Sequence, residues 1–409
     1  MQPKHFPIGF WNSGENYLPK MEEWVNEWND IGFSLAMTPN FGDSPEEIAQ
    51  VRRLLDLAQA QDIEMILCDN RTHGPASPWG NPATPVPLSS DYAGKVAAAV
   101  RDFGTHPAAW GLYVVDEPLV GNLPGVGEAC KIVRAATPRL HPYINLLPDH
   151  RIWGGVTEHV GFTDFGAYLD HYLKVTGDDM LCYDCYCQKG EEWGGRDRYF
   201  LNLAEYQAAA IRNNVPFWII TLSLGHWMYR IPTVSEMLWQ FNTALAYGAQ
   251  GILYFLYRAG GDFGYGAPVD ELGQRGPLYY QMKRQHTYFR KYWEARYRTL
   301  KPTLTTHFPV APAGTRVFDG SGIARKVGFG CGQTDVLIGE FVDDQNRPHV
   351  MIMNNNTERH ASVGVDCAGR KAYHLGEKGE VPCAESASGL VQVGGFLMPS
   401  AAMLYRIEQ

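Results

Sequence analysis

Two consecutive acids, Asp116 and Glu117, end the apolar run Gly111-Leu-Tyr-Val-Val-Asp-Glu-Pro118 and are well suited to acid–base chemistry. An acid at the end of a buried strand loses hydration in its charged form, so its pKa should rise. A carboxyl group with a raised pKa keeps its proton near neutral pH and can deliver it as a general acid. The alternative is that both acids only begin a helix, but Pro118 and residues 119–124 separate them from the next helical segment.

A third acid, Asp184, ends another apolar run, Met180-Leu-Cys-Tyr-Asp184. Two carboxyl groups can cleave a glycosidic bond between them, with retention at about 5–5.5 Å separation and inversion at about 6.5–9.5 Å. We therefore expect Glu117 to donate a proton while Asp184 acts as the nucleophile or as the base for water. An equally open alternative is that Asp184 binds a hydroxyl group or an Arg. Glu271 is a weaker candidate, since Val269-Asp-Glu-Leu272 is typical of a turn.

The segments that must position these acids alternate short apolar runs with amphipathic stretches, which predicts repeated strand–helix units. The eight predicted strands are His5–Trp11, Phe33–Thr38, Ile63–Cys68, Ala109–Val115, Pro142–Leu147, Met180–Tyr186, Pro216–Ser223 and Gly251–Tyr257. Eight units in about 300 residues predict a closed (β/α)8 TIM barrel. The alternative is an open doubly wound sheet, but the first strand runs into Trp11-Asn-Ser-Gly14 instead of a Gly-rich phosphate turn.

Two capping patterns predict where helices begin. Asp43-Ser-Pro-Glu-Glu47 and Thr233-Val-Ser-Glu236 each combine a capping residue with an acid in the first turn. After Lys301-Pro302 the helical periodicity ends, and short alternating runs predict a small all-β sandwich. We therefore predict a barrel domain over residues 1–302 and a C-terminal β-sandwich domain over residues 303–409.

The reactive groups of such barrels lie at the carboxyl ends of the strands. We expect the substrate to contact polar and aromatic side chains there, although some of them will serve packing alone. For His226, a structural role is an equally open alternative. These candidates are Trp11, Asn12, Asn40, Asp69, Asp116, Asn145, Tyr183, Tyr186, His226, Trp227, Tyr257 and Arg258.

The run from Gly111 to Pro118 resembles the fourth-strand motif of clan A glycoside hydrolases, in which an acid or amide followed by Glu-Pro supplies the acid/base Glu. The segment Glu236–Tyr257, with Trp239-Gln, Ala244-Leu-Ala-Tyr-Gly-Ala249 and Gly251-Ile-Leu-Tyr-Phe255, is similar to the last unit of family 42-like barrels. An appended β-sandwich also fits that group. The resemblance implies a glycoside hydrolase with Glu117 as its acid/base.

The chain departs from that pattern at the seventh strand. Clan A enzymes carry their nucleophilic Glu at the end of this strand, whereas here the strand runs into Ser223-Leu-Gly-His-Trp227, which has no acid. The usual pair of carboxyl groups is therefore incomplete, and Asp184 is the best substitute for the second member.

Composition excludes several classes of function. A net charge of −9 argues against nucleic acid and anionic membrane surfaces as partners. No apolar stretch is long enough for a transmembrane helix. An aromatic share of 12% suits a carbohydrate-binding cleft, and a large aromatic core is the alternative. Because Met1-Gln-Pro-Lys-His5 lacks a signal-peptide pattern, we expect a cytoplasmic protein, or else a secreted or periplasmic one whose signal peptide has been removed.

The eight cysteines are expected to be reduced thiols. Cys182, Cys185 and Cys187 have close spacing, but a structural zinc site needs four ligands and no second pair follows. We therefore expect neither a metal nor another cofactor.

Together these patterns predict a glycoside hydrolase that cleaves an oligo- or polysaccharide by carboxylate acid/base catalysis. Two alternatives remain open at the level of sequence. One is a non-catalytic carbohydrate-binding barrel, which the acid-free seventh strand favours, and the other is a barrel lyase or isomerase that acts on a sugar.

Overall fold

A computed structural model describes residues 2–12, 17–76, 84–149, 160–189, 195–259 and 264–409. Eight parallel strands form one sheet in the order β5-β4-β3-β2-β1-β8-β7-β6. The strands are β1 (Ile8–Phe10), β2 (Leu35–Met37), β3 (Glu64–Leu67), β4 (Ala109–Asp116), β5 (His141–Asn145), β6 (Leu181–Asp184), β7 (Phe217–Leu222) and β8 (Ile252–Phe255).

The ring of strands closes between β5 and β6, one residue beyond the end of β5. The backbone N–H of Leu146 donates to the carbonyl oxygen of Cys182 at 2.8 Å, and Leu146 pairs in parallel with Tyr183. This closure makes the sheet a barrel, which confirms the predicted (β/α)8 fold.

Helices cover the outside of the barrel. They are α1 (Met21–Ile31), α2 (Pro45–Ala60), α3 (Tyr92–Phe103), α4 (Leu123–Ala136), α5 (Phe165–Thr176), α6 (Gly195–Asn213), α7 (Val234–Ala246), α8 (Pro277–Tyr292) and the short α9 (Glu294–Tyr297). Both capping predictions are confirmed, because the side chains of Ser44 and Thr233 accept hydrogen bonds from the backbone of Glu47 and Glu236. These bonds satisfy donors that helix starts otherwise leave unpaired.

Large side chains fill the interior of the barrel. Trp110 stacks on Trp218 with ring centroids 5.1 Å apart, and the hydroxyl of Tyr143 lies 3.3 Å from the Sγ of Cys182. Aliphatic residues of the other strands complete this cluster. The barrel is therefore a packed core, and a ligand site belongs at the carboxyl ends of its strands.

The first and last strands of the barrel are shorter than predicted. β1 covers Ile8–Phe10 within the predicted His5–Trp11, and β8 covers Ile252–Phe255 within the predicted Gly251–Tyr257. Phe6 and Tyr257 are buried all the same, because they pack beneath helices without joining the ladder. Apolar patterning reports burial, and burial continues past the last ladder hydrogen bond.

Two antiparallel sheets follow the barrel. Their strands are β9 (Lys301–Phe308), β10 (Ala324–Cys331), β11 (Val336–Val342), β12 (Pro348–Asn354), β13 (Ala361–Ala368), β14 (Lys371–Gly376), β15 (Gly379–Glu385), β16 (Leu390–Leu397) and β17 (Ala402–Glu408). Six strands in the order β15-β14-β17-β12-β11-β9 face three in the order β10-β13-β16 across a shared apolar core, which confirms the β-sandwich. The predicted division after residue 302 falls within β9 and stays a prediction.

The sandwich packs against the barrel through specific hydrogen bonds. The indole N–H of Trp239 on α7 donates to the Oδ1 of Asn355 at 2.7 Å, and that of Trp293 donates to the carbonyl oxygen of Leu375 at 2.8 Å. Across the described ranges, no helix combines the length and apolar character that a membrane span requires.

Gly9 provides a test of how closely β1 and β2 must approach. A Cβ at this position would lie 2.2 Å from the carbonyl oxygen of Leu35, so Gly9→Ala forces two barrel strands apart. We expect a loss of about 1–3 kcal/mol in the free energy of unfolding, measured by urea denaturation. The control is Gly94→Ala on α3, where a Cβ meets nothing within 4 Å and should stabilise the helix by about 0.5–1 kcal/mol. Equal effects of the two substitutions would contradict this packing.

Candidate active site

The carboxyl ends of β4, β5 and β6 bring together four polar side chains, which we call the acid cluster: Asp116, Glu117, Asn145 and Asp184. The Nδ2 of Asn145 donates to the Oδ1 of Asp116 and to the Oδ1 of Asp184, both at 2.9 Å. Glu117 lies close enough to Asp184 and Asp116 for their charges to raise its pKa. Asp116, Asn145 and Asp184 therefore form one hydrogen-bonded unit, and Glu117 lies beside it.

The backbone at the end of β4 allows two consecutive acids to reach this cluster. In a regular strand, neighbouring side chains point to opposite faces of the sheet. Here the pairing of β4 with β5 shifts register between Tyr113 and Val115, and Glu117 has a φ of +43°. The backbone N–H of Glu117 still donates to the carbonyl oxygen of Asn145 at 2.8 Å. A left-handed backbone is unfavourable for Glu, and such strain is concentrated at functional sites.

Burial and mutual repulsion raise the pKa values of the clustered acids. Burial, followed by the charges of Asp184 and Asp116, holds the pKa of Glu117 well above its ordinary value. Burial and the charge of Asp184 raise the pKa of Asp116 to about 7. Carboxyl groups this close titrate as a coupled set and do not all ionise together. Glu117 therefore keeps its proton to a higher pH than an ordinary glutamate does.

Asp184 receives more stabilisation of its charge than Glu117 does. Burial raises the pKa of Asp184, but hydrogen bonds from Asn145 and Tyr186 and the charge of Arg198 oppose this rise. Arg198 lies on α6, is almost completely buried, and donates from Nε to the carbonyl oxygen of Asp149 at 3.4 Å. The sequence did not point to Arg198, because a helix residue falls outside a search of strand ends.

The prediction set Glu117 and Asp184 on either side of a sugar, and this arrangement stays a prediction. In the structure, Asp184 accepts a hydrogen bond from the same amide group of Asn145 as Asp116 does. The reason is that β6 neighbours β5 at the closure of the barrel, so Asn145 draws Asp184 toward β4. Protein atoms crowd around Asp116 and so raise its pKa, yet its side chain has the greatest solvent access of the three acids, so the cluster is open to the cleft.

Aromatic side chains line the rest of the rim near the cluster. The rings of Trp11 and Tyr113 lie 5.8 Å apart at 79°, and Tyr186 stacks on Phe255 at 5.6 Å. His226 contacts the Phe255 ring at 5.1 Å, and burial lowers the pKa of His226 to about 4, so its imidazole is neutral at neutral pH. Tyr113 and Phe255 were not among the predicted site residues, although strand alternation could have indicated Tyr113.

Trp227 stands at the tip of a tight hairpin on the same rim. His226 and Tyr229 exchange backbone hydrogen bonds of 3.0 and 2.8 Å, and Trp227 between them has a φ of +46° and is 83% exposed. Tyr265 from the next loop is 55% exposed and exchanges two backbone hydrogen bonds with Gly225. The two loops together present an exposed aromatic surface.

Two predicted site residues are engaged in ion pairs instead. Asp69 is fully buried, and the guanidinium of Arg71 binds both of its carboxylate oxygens. Arg258 lies over the ring of Trp24 at 4.4 Å and faces Glu27 at 3.5 Å. Both side chains turn away from the cleft, because an opposite charge is available within the protein.

Two predicted tyrosines point to the helix layer. Tyr183 stacks on Tyr206 of α6 with ring centroids 3.6 Å apart, and the hydroxyl of Tyr257 accepts a hydrogen bond from Trp28 at 2.8 Å. The alternation of side chains along β6 places Tyr183 on the outer face. Tyr257 lies beyond the end of β8 and packs among the residues of the helix-side core. Two of the predicted asparagines lie beyond the ends of their strands, where Asn12 is half-buried and Asn40 is exposed. Ser13 and Gly14, which follow Asn12 in the sequence, lie outside the described residues.

Among the described residues, one group of potential metal ligands lies close together: His141, Asp178 and Asp179, with ligand atoms within 4.8 Å. It lies at the opposite end of the barrel, where His141 begins β5. The guanidinium of Arg134 already faces Asp178 at 3.5 Å. Cys182 and Cys185 belong to different clusters, inside and outside the barrel, so they do not converge on an ion.

A cavity of about 450 Å³ lies at the same opposite end, near the sandwich. Its lining includes Pro7, Pro216, Arg298 and Lys301, and it contains no Asp or Glu. Without a carboxyl group, this cavity does not offer the chemistry of the acid cluster.

No family model matches the chain, and no curated protein matches its sequence. Solved structures do share its fold. A family 5 glycoside hydrolase from Bacteroides vulgatus has a TM-score of 0.56 and 13% identity, covering 98% of this chain and 89% of that one. A family 39 glycoside hydrolase from Bacteroides cellulosilyticus has a TM-score of 0.51 and 11% identity, with coverage of 99% and 81%. The GH5_18 protein of Bifidobacterium longum has a TM-score of 0.51 and 13% identity, with coverage of 69% and 79%.

These likenesses establish a glycosidase-like fold and nothing narrower. The predicted clan A resemblance therefore agrees with the fold of the neighbours, while its family 42-like detail and the role of the missing seventh-strand acid stay predictions.

The raised pKa of Glu117 predicts a pH-dependent cost in stability. Because the folded pKa lies above the ordinary 4.5, the unfolded chain loses its proton first as pH rises, and the folded state is progressively disfavoured. Glu117→Gln mimics the protonated form and avoids this loss. We expect the wild type and Glu117→Gln to be equally stable near pH 4 and the variant to be the more stable protein at pH 8. The difference should grow by up to about 1.4 kcal/mol per pH unit between the unfolded-state and folded-state pKa values of Glu117.

The matched control is Glu271→Gln, because Glu271 is exposed in a turn that Asp270 caps. Its effect on the unfolding temperature should not change between pH 4 and pH 8. A pH-independent difference between Glu117→Gln and the wild type would show that Glu117 is not held protonated.

Proposed function

We propose that this protein is a glycoside hydrolase that cleaves an oligo- or polysaccharide at the acid cluster, with Glu117 as the proton donor. The observation that carries the proposal is the position of Glu117 at the carboxyl rim of a barrel, where burial and the charges of Asp184 and Asp116 raise its pKa. A general acid of this kind protonates the oxygen of the leaving sugar. The solved structures of similar fold that are glycoside hydrolases add support.

Glu117 has a role in both halves of the reaction. It first gives its proton to the glycosidic oxygen, and as a carboxylate it then accepts a proton from the attacking water. Burial and the negative charge of Asp184 raise the pKa of Glu117 and so favour its protonated form beforehand. Asp184 and Asp116 together place negative charge near the cationic sugar ring that develops in the transition state.

The aromatic rim provides binding surface for sugar rings. Sugars present apolar C–H faces that pack on aromatic side chains, as Trp11, Tyr113 and Phe255 would allow beside the cluster. Tyr186, His226 and Asn145 add polar groups for hydroxyl recognition. The carbohydrate is therefore expected to lie between this aromatic surface and the three acids.

A second candidate function is a non-catalytic carbohydrate-binding barrel. The end of β7 favours this alternative, because no acid follows the strand. The hydroxyl of Ser223, which stands there, already donates to the carbonyl oxygen of Leu256. Under this alternative the acids bind hydroxyl groups, and no glycosidic bond is broken.

Glu117→Gln tests the proposed function directly. We expect kcat/KM for unactivated glycosides to fall by about 10²–10⁴-fold, the usual contribution of a general acid. The loss should be smaller for aryl glycosides with acidic phenol leaving groups, which need less protonation. Reducing-sugar release and phenol release provide the two measurements.

The control for this substitution is again Glu271→Gln, which should keep wild-type activity. Full activity of Glu117→Gln would disprove the proton-donor role. Glycan binding without any turnover by the wild type would favour the binding barrel, and a product without oxygen from labelled water would favour a lyase or isomerase.

Trp227→Ala tests whether the exposed rim binds a distant sugar. Because Trp227 is 83% exposed and outside the acid cluster, its loss should raise KM for longer oligosaccharides about tenfold and leave kcat for short aryl glycosides unchanged. Leu272→Ala removes another exposed apolar side chain, 77% exposed, and should change neither parameter. An equal rise in KM for short and long substrates would contradict a distal subsite.

A further inference from the structure

The cavity at the amino-terminal end of the barrel lies where the barrel meets the sandwich. Its walls come from the segment before β1, the end of α6, the start of β7, the loop before β8, and the strands β9 and β11. Its volume of about 450 Å³ falls within the range of roughly 300–1,000 Å³ that is typical of small-molecule sites. The cavity is therefore large enough for a ligand that contacts both parts of the protein.

The interior of this cavity is apolar. The most deeply buried side chains of its lining, each at most 5% exposed, are Phe6, Ala210, Phe217 and Leu300. Val342 at the end of β11 adds a half-buried apolar wall from the sandwich. Water against such a surface is readily displaced by an apolar group, because removing apolar area from water is favourable. The interior therefore favours a hydrocarbon group as its occupant.

The exposed part of the lining, which we call the mouth, is positively charged. Arg298 and Lys301 both line the cavity and are exposed to solvent. The guanidinium of Arg298 donates to two backbone carbonyl oxygens of the segment before β1, which leaves its charge in place. A third basic side chain, His5, is already hydrogen-bonded to Asp62. The described residues of the lining include no Asp or Glu, although the whole chain has a net charge of −9. The mouth is therefore suited to an anionic group.

We propose that this cavity binds a small amphiphilic carboxylate, with its hydrocarbon tail in the interior and its carboxylate at the mouth. The tail contacts Phe6, Phe217 and Leu300. The carboxylate lies beside Arg298 and Lys301. Burial of the tail supplies most of the affinity, and the two charges select an anion and fix its orientation. A cationic amphiphile is disfavoured, because its head group meets two like charges.

A ligand at this position joins the barrel to the sandwich. Phe217 begins β7, whereas Lys301 begins β9 and Val342 ends β11, so the ligand contacts both parts at once. A ligand that binds only the folded protein stabilises it, by an amount that grows with the ligand concentration relative to Kd. The acid cluster lies at the other end of the barrel, so this site does not depend on the proposed glycosidase activity.

The first experiment varies the length of the tail. Butanoate, hexanoate and octanoate are titrated into the whole protein at pH 7 and followed by calorimetry. We expect each added CH₂ group to strengthen binding by roughly threefold, which gives about 80-fold between butanoate and octanoate. Saturating octanoate should also raise the unfolding temperature. An affinity that does not depend on chain length, or no binding of octanoate at all, would overturn the proposal.

The second experiment varies the head group on a tail of constant length. Octanoate, octanol and octylammonium present a negative, a neutral and a positive head group to the mouth. Octanoate should bind tightest and octylammonium weakest, and added salt should weaken octanoate but not octanol, because salt screens the exposed charges. Equal affinities of octanoate and octanol, or tighter binding of octylammonium, would contradict an anion site.

The third experiment locates the bound octanoate by reversing one charge at the mouth. Lys301→Glu should weaken octanoate binding by about fivefold or more, because it replaces an attraction by a repulsion of similar size. The matched control is Lys378→Glu, which makes the same change in net charge at an exposed turn between β14 and β15 and should bind octanoate as the wild type does. Circular dichroism verifies folding, and unchanged octanoate affinity in folded Lys301→Glu would overturn binding at this cavity.

Discussion

The amide group of Asn145 makes the interaction on which the site depends. Its Nδ2 donates to carboxylates from the strand on each side, Asp116 on β4 and Asp184 on β6. The next residue, Leu146, forms the backbone hydrogen bond that closes the barrel between β5 and β6. Closure of the fold and assembly of the acids are thus one structural event, because both need β6 beside β5.

The cluster combines groups that would repel one another in isolation. Three carboxyl groups share one small region, and burial raises the pKa of each. The barrel holds them there because each strand is fixed by its neighbours, and a packed interior does not yield to local repulsion. The charge of Arg198 beneath the site offsets part of this repulsion. Under the proposed function, this unfavourable arrangement supplies a proton donor with a raised pKa.

The aromatic residues divide between two tasks that composition alone cannot separate. Trp110 and Trp218 fill the barrel, and Tyr183 and Tyr257 bind the helix layer to it. Trp11 and Phe255 lie at the top of the same packed interior and face the cleft. The rim is therefore a continuation of the core, and this packing limits the side-chain entropy that would be lost if a ligand bound there.

The sequence by itself determined the repeating units, the helix caps at Ser44 and Thr233, and the concentration of acids after the fourth and sixth strands. These features depend on local periodicity and on hydrogen bonds between residues three apart, which a linear pattern records. Tertiary structure alone decided which side chains meet. Asp69 found Arg71 and Tyr183 found Tyr206, while Arg198 approached from a helix. Side-chain direction at a strand end depends on register, on a shift such as that in β4, and on the backbone angle of Glu117, and these are set only when neighbouring strands pair.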